Sequence, residues 1–239
     1  MKRAASFLIF SILGITVIIT RYIGTASVAY AHTGSSTPAI PKEITIGDTT
    51  KKQVIFTFDC GDKAASVNGI LAVLAKHHVK GTFFVTGTFA KTYPEFIRAM
   101  VNGGHEIFNH TYDHPHLTEL PDWRITQELA LLEQTVYLIA GTSTQPYFRP
   151  PYGDRDRRVR AAAARLGYRS VYWTTDARDW QETSGMTADR VKEKILNSMQ
   201  PGAIYLMHGG DRITAAILDD VLTNVEQRGY KAVSLTQGL

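Results

Sequence analysis

From residue 53 onward the apolar positions switch repeatedly between two periods. Runs dense in β-branched and aromatic residues, Val-Ile-Phe-Thr-Phe at 54–58 and Thr-Phe-Phe-Val at 82–85, read as strands. Between them Ile70, Leu71, Val73, Leu74 and His77 recur at helical spacing. The exchange continues with a helix over 94–101, a short strand at 106–108 and a long helix over 123–139. A strand end at 146–148, a helix over 155–166, a strand at 169–173 and a helix over 188–199 come next. A strand at 203–207, a helix over 213–228 and a last strand at 231–233 complete the pattern. Gly81, Gly104, Gly167 and Gly229 stand between a helix and the next strand, where a helix C-terminus favours positive φ.

Six or seven β-then-α units without internal repetition predict an α/β fold with a parallel sheet, closed or nearly closed as a barrel. At 239 residues one large domain is expected, running over 52–239. Before it, residues 32–51 are small, polar and proline-bearing, the composition of a tether or a short wrap-around arm. At the start, Lys2 and Arg3 precede an apolar run over 4–20, and Ala29-Tyr30-Ala31 offers small residues at a cleavage site. Residues 1–31 therefore read as an export signal cleaved after Ala31, or as an uncleaved N-terminal membrane anchor. Either places the domain outside the cytoplasm of a bacterium, secreted, at the cell wall or tethered to the membrane.

Composition changes this picture little, since 44% hydrophobic and 20% charged residues are ordinary for a globular chain. Charge changes it more. The formal net charge is +4, but Lys2, Arg3 and Arg21 lie in the leader with no acid beside them. The rest of the chain is nearly neutral, which removes the main support for nucleic-acid binding. A single cysteine, Cys60, allows no intramolecular disulfide in an oxidising space. A lone exported thiol is chemically vulnerable unless buried or bound.

The candidate chemistry gathers just after predicted strands, where side chains of a parallel α/β barrel converge on one rim. In Asn109-His110-Thr111-Tyr112-Asp113-His114-Pro115, two imidazoles four residues apart can close on one metal ion. They are otherwise two loop histidines held by hydrogen bonds. No H-E-x-x-H occurs, so a helical zinc-protease site is not supported. Thr57-Phe58-Asp59-Cys60-Gly61 ends a strand on a carboxylate, and Asp59 there can serve as general base or simply end the strand. Arg149-Pro150-Pro151-Tyr152-Gly153 is a stiff turn; its prolines can hold the Tyr152 amide as an oxyanion donor. Arg149 can pair with Asp59 and keep it ionised. Asp179 and His208 can form a carboxylate–imidazole pair fit for a general acid, with Trp180 and Leu206 as an apolar wall.

Taken in order, Thr-Phe-Asp-Cys-Gly, His-Thr-Tyr-Asp-His-Pro, Arg-Pro-Pro-Tyr-Gly, Asp-Ala-Arg-Asp-Trp and Leu-Met-His-Gly resemble the motifs of the polysaccharide deacetylase family. This is the NodB-type domain of carbohydrate esterase family 4, and the likeness runs from about Gln53 to Leu235. The resemblance implies a distorted (β/α)7 barrel in a single domain that removes acetyl groups from glycans such as peptidoglycan, chitin or xylan. It implies Asp59 as base, His110 and His114 as metal ligands, Arg149 as the residue orienting the base and the Tyr152 amide as oxyanion donor. It further implies Asp179 as the carboxylate tuning the general acid His208, with Trp180 and Leu206 lining the acetyl pocket. The implied cofactor is a divalent metal, most often Zn2+. The implied partner is an acetylated glycan polymer, acted on by a monomer.

The departure is position 60, where the family's third metal ligand is an aspartate. Cys60 can bind as a thiolate, Asp62 can supply a displaced carboxylate, or the two histidines alone can hold the ion with water. The resulting expectation is an exported, metal-dependent deacetylase of N-acetylated cell-wall or related glycans. The alternatives are a non-catalytic glycan-binding relative and an O-acetyl esterase.

Overall fold

β1 (Gln53–Cys60) is buried along its whole length from Val54 onward. A strand with no solvent face belongs at the centre of a covered parallel sheet. In the computed structural model, which describes residues 39–239, β1 pairs in parallel with β2 (Thr82–Val85), β7 (Ala203–His208) and β8 (Lys231–Val233). With β3 (Glu106–Asn109), β4 (Tyr147–Phe148), β5 (Arg169–Ser170) and β6 (Thr175–Asp176), the order is β5-β4-β3-β2-β1-β7-β6, with β8 beside the start of β1. β5 and β6 lie in one kinked stretch whose first half pairs with β4 and whose second half pairs with β7. Counted as one stave, it gives the seven-stranded, distorted (β/α) barrel expected from the sequence.

Strand alternation sorts the side chains into two layers. Ile55, Phe84, Phe108, Val171, Ile204 and Val233 fill the barrel interior. Val54, Phe56, Phe58 and Cys60 point the other way, into the layer beneath the helices. There they meet Ile70 and Leu74 of α1 (Val67–Lys76) and Leu218, Val221 and Leu222 of α7 (Arg212–Gln227). Each such side chain contributes about 1.5–3 kcal/mol by leaving water. α2 (Gly87–Thr92), α3 (Pro94–Asn102), α4 (Asp122–Ala140), α5 (Arg157–Ala164), α6 (Ala188–Asn197) and α8 (Leu235–Gly238) complete the set. None of the described helices is long and apolar enough to cross a membrane. The expected leader over 1–31 lies outside the described residues.

Two departures from the sequence reading have physical causes. α2 has no counterpart there; it starts because Thr86 Oγ1 accepts from the Phe89 amide at 3.0 Å. The left-handed residue after α1 is His78 rather than Gly81. Gly81 is required for space instead, since a Cβ there would stand 2.8 Å from Leu74 Cδ1. In the segment before the barrel, where the sequence left a tether or a wrap-around arm open, residues 42–48 pack as part of the fold. Ile44 is buried and forms an isolated parallel bridge to Val171, and Glu43 pairs with Arg155 at 2.8 Å. The Gly47 and Asp48 amides donate to Gly202 and Gly238. The wrap-around arm describes these residues better than the tether.

Candidate active site

Register places the reactive side chains together. Asp59 and His208 are paired neighbours at the ends of β1 and β7, and Asn109 at the end of β3 faces Phe148 at the end of β4. His110 and Arg149 are the next residues after those last two ends. A cleft of about 700 Å³ opens there, lined by Asp59, Asp62, His114, Tyr152, Trp180, Leu206 and His208.

Asp59 is buried and held by Arg149, whose Nη1 donates to Oδ1 at 2.6 Å and to Thr57 Oγ1 at 2.9 Å. Nη2 of Arg149 donates to the Tyr172 carbonyl at 3.1 Å, and its guanidinium lies 4.1 Å from the Phe84 ring centre. Burial opposes ionisation of Asp59, but Arg149, His110 and His208 outweigh it and hold the carboxyl below the ordinary carboxylate range. Removing one partner of such a buried pair costs about 3–5 kcal/mol.

The histidine loop is fixed by groups that sequence reasoning did not single out. Glu128, fully buried on α4, accepts the Tyr112 and Asp113 amides at 3.0 and 2.8 Å. Asn109 Oδ1 accepts the Thr111 amide at 2.9 Å, and its Nδ2 donates to the Leu129 carbonyl at 3.0 Å. An acid on the stripe of Ile125, Leu129, Leu132 and Val136 was the available signal for Glu128. Within the loop, His110 Nδ1 donates to the Arg149 carbonyl at 2.8 Å, leaving Nε2 aimed at His114 Nε2, 3.1 Å away. Burial pushes both imidazoles down, His114 to about 3 with help from neighbouring His110. Both are therefore neutral at ordinary pH, the form in which an imidazole can bind a metal.

The pair fits a divalent ion. Two imidazoles bound at about 2.0–2.1 Å to a tetrahedral zinc lie roughly 3.3 Å apart, close to the spacing here. A pinned outer nitrogen is also how a ligating imidazole is oriented. Asp59 Oδ2 lies 3.4 Å from His110 Nε2.

Cys60 does not join them. It shares a face with Phe58, opposite Asp59, and its Sγ is 2.6 Å from where a Cβ on Gly209 would stand. Burial pushes its thiol far up, so the thiolate that metals bind is disfavoured. The expectation of Cys60 as a ligand is corrected by strand alternation. Asp62 is exposed on the cleft wall.

Across the cleft, buried Asp179 holds His208 at two points. Oδ1 accepts from Nδ1 at 2.8 Å and Oδ2 accepts from the His208 amide at 2.7 Å. Thr214 of α7, another residue the sequence reading missed, donates its hydroxyl to Asp179 Oδ2. Burial works against charge on His208, yet Asp179, with Asp59 and Asp211 nearby, raises it to about 9. Asp179, His208 and Asp211 lie close enough together to hold an ion. Both oxygens of Asp179 are already engaged, so the geometry favours a carboxylate–imidazole pair over a metal centre.

Leu206 is buried and Trp180 half-exposed on the cleft wall, and Trp173 joins them. Tyr152 stands in the 3-10 turn Pro151–Gly153 with φ 58°. Thr111, His114, Tyr152 and Arg178 are four of the five described non-glycine residues with positive φ, and all four lie in the loops around this cleft.

Comparison with known proteins agrees with this geometry. The family model for polysaccharide deacetylase matches residues 46–171. A peptidoglycan-N-acetylmuramic acid deacetylase of Bacillus subtilis is 37% identical over 190 residues, spanning 80% of this chain and 72% of that protein. Its solved structure, a family 4 carbohydrate esterase, superposes with a TM-score of 0.78 at 36% identity, covering 82% of this chain and 84% of that one. A chitooligosaccharide deacetylase of a Bradyrhizobium species is 35% identical over 159 residues, 66% of this chain and 71% of that protein. A pseudoenzyme of the same esterase family from Bacillus anthracis also matches, with a TM-score of 0.78 and 29% identity over 83% of this chain and 69% of that one. The barrel, the ordered motifs on its rim and these relatives together make the chain a member of the polysaccharide deacetylase family.

Proposed function

We propose that this chain is an exported, divalent-metal-dependent deacetylase that hydrolyses N-acetyl groups of N-acetylglucosamine in peptidoglycan or chitin-like glycans. One observation carries the reading. Asp59, kept ionised by Arg149, and His208, kept protonated by Asp179, line one cleft. A glycan-binding module needs neither a poised base nor a poised acid.

His110 and His114 would hold the ion, and zinc suits imidazole donors. When bound, it supplies Lewis acidity to the reacting water and the acetyl carbonyl. Asp59 accepts a proton from the water as its oxygen attacks the acetyl carbon. The Tyr152 amide donates to the developing oxyanion. The carbon–nitrogen bond then breaks, the nitrogen takes its proton from His208, and acetate leaves a free amine on the sugar. Trp180 and Leu206 exclude water beside the acetyl methyl.

The test is acetate release from N-acetylglucosamine oligomers and peptidoglycan, with zinc or with a chelator. Release that depends on zinc and falls by ~10²–10⁴-fold in Asp59→Asn is expected. No release from any acetylated glycan at any zinc loading would return the chain to the non-catalytic, glycan-binding reading.

A further inference from the structure

His110 and His114 are fixed by different means. His110 has the hydrogen bond from Nδ1 to a backbone carbonyl described above. Among the described residues, Nδ1 of His114 has no such partner. Its ring instead meets Tyr152 edge to face, with centroids 4.6 Å apart and planes at 67°. Tyr152 in turn lies flat against His116, at 4.1 Å and 17°. Aromatic pairs prefer such edge-to-face and offset-stacked arrangements, which hold one ring against the next.

The outer end of this stack is anchored. His116 Nδ1 lies 3.5 Å from Asp154 Oδ2, and Asp154 accepts from Thr118 Oγ1 at 2.7 and 2.8 Å. Arg158 holds the Thr118 carbonyl at 2.9 Å. Tyr152 is 62% exposed and in a left-handed conformation, so core burial does not explain where its ring sits. The neighbours that fix the ring are the two imidazoles.

We propose that His116 is a positioning residue that, by stacking on Tyr152, holds the His114 ring in its ligating orientation. The proposal rests on the reading of His110 and His114 as the ion-holding pair. The flat face of the His116 ring carries this role; the approach of Nδ1 to Asp154, at 3.5 Å, is at the long limit of a polar contact and steadies the ring without being required for it. The stack takes the place of the hydrogen bond that orients a ligating imidazole elsewhere.

The experiment measures zinc affinity of the full chain by competition with a chromogenic chelator, in the wild type and in His114→Ala, His116→Ala and His116→Phe. His116→Ala is expected to bind zinc roughly 10–100-fold more weakly, the usual effect of losing an outer-shell partner. Its turnover recovers at saturating zinc, and its unfolding midpoint in chelator stays at the wild-type value. His116→Phe is expected to restore near-wild-type affinity. Unchanged affinity in His116→Ala, with binding abolished in His114→Ala, would overturn the positioning role alone. Affinity as weak in His116→Phe as in His116→Ala would also overturn it, because the ring nitrogens would then be what matters. Wild-type zinc binding in His114→Ala would overturn the ion-holding assignment and this proposal with it.

Discussion

Asp179 controls both where His208 sits and what charge it carries. In Asp179→Asn an amide still meets Nδ1, but the charge that offsets burial is gone. His208 then falls from about 9 toward or below its ordinary 6.5. A general acid works protonated, so its contribution is lost as pH rises through its pKa. The basic limb of the kcat/KM profile should move acidward in this variant, with the rate at pH 8 hit much harder than at pH 6. A basic limb that stays near pH 9 would exclude His208 as the acid. The reactive residues were legible because carboxylates and imidazoles at strand ends have few structural reasons to gather in sequence order. The side on which Cys60 falls could have been read from strand alternation, which the sequence reading did not apply to it. Val54, Phe56, Phe58 and Cys60 lie two apart, while Asp59 belongs with Ile55 and Thr57. Thr214 and Asn109 were not legible, because their partners are distant in sequence and their residue types are common in loops.

Among the elements, the segment over residues 42–48 is the one whose sequence left two readings open, a tether or a wrap-around arm. Its one buried apolar side chain, Ile44, sits against the stave that closes the barrel. Arg155, paired with Glu43, also lies 3.5 Å from the ring centre of Tyr172, which stacks on Trp173 at the cleft. Ile44→Ala should cost about 2–5 kcal/mol, seen as a lower urea midpoint with an unchanged slope. A loss below ~0.5 kcal/mol would mean the arm is a passive tether after all. Polar, proline-bearing composition hides such a segment, since Ile44 and Ile46 alone are too short a run to establish a period. The same limit hid the split between β5 and β6, where two residues of pairing on each side leave no alternation to count. The long apolar runs of β1 and β7 and the long helices α4 and α7 were legible because each spans several repeats of its own period.

For the molecule as a whole, titration of the site sets a window of stability. His114 is pushed down to about 3, so between there and 6.5 the unfolded chain binds a proton that the folded chain refuses. Stability should fall as pH drops through that range. His208 is raised to about 9, so its stabilising contribution is complete below 6.5 and is lost as pH rises toward 9. The metal-free protein should therefore be most resistant to urea near neutral pH, with midpoints falling on both sides. A midpoint that keeps rising from pH 6.5 to pH 9 would contradict the environment assigned to His208. Four left-handed residues, Thr111, His114, Tyr152 and Arg178, surround the same cleft. Each costs on the order of 1 kcal/mol, and a short peptide would not sustain any of them. The rest of the barrel bears that load at the moment of folding, long before a sugar arrives. The proposed acetylated glycan would thus dock on a surface already committed to its shape. The histidine loop, grafted alone onto another scaffold, would relax and release its grip.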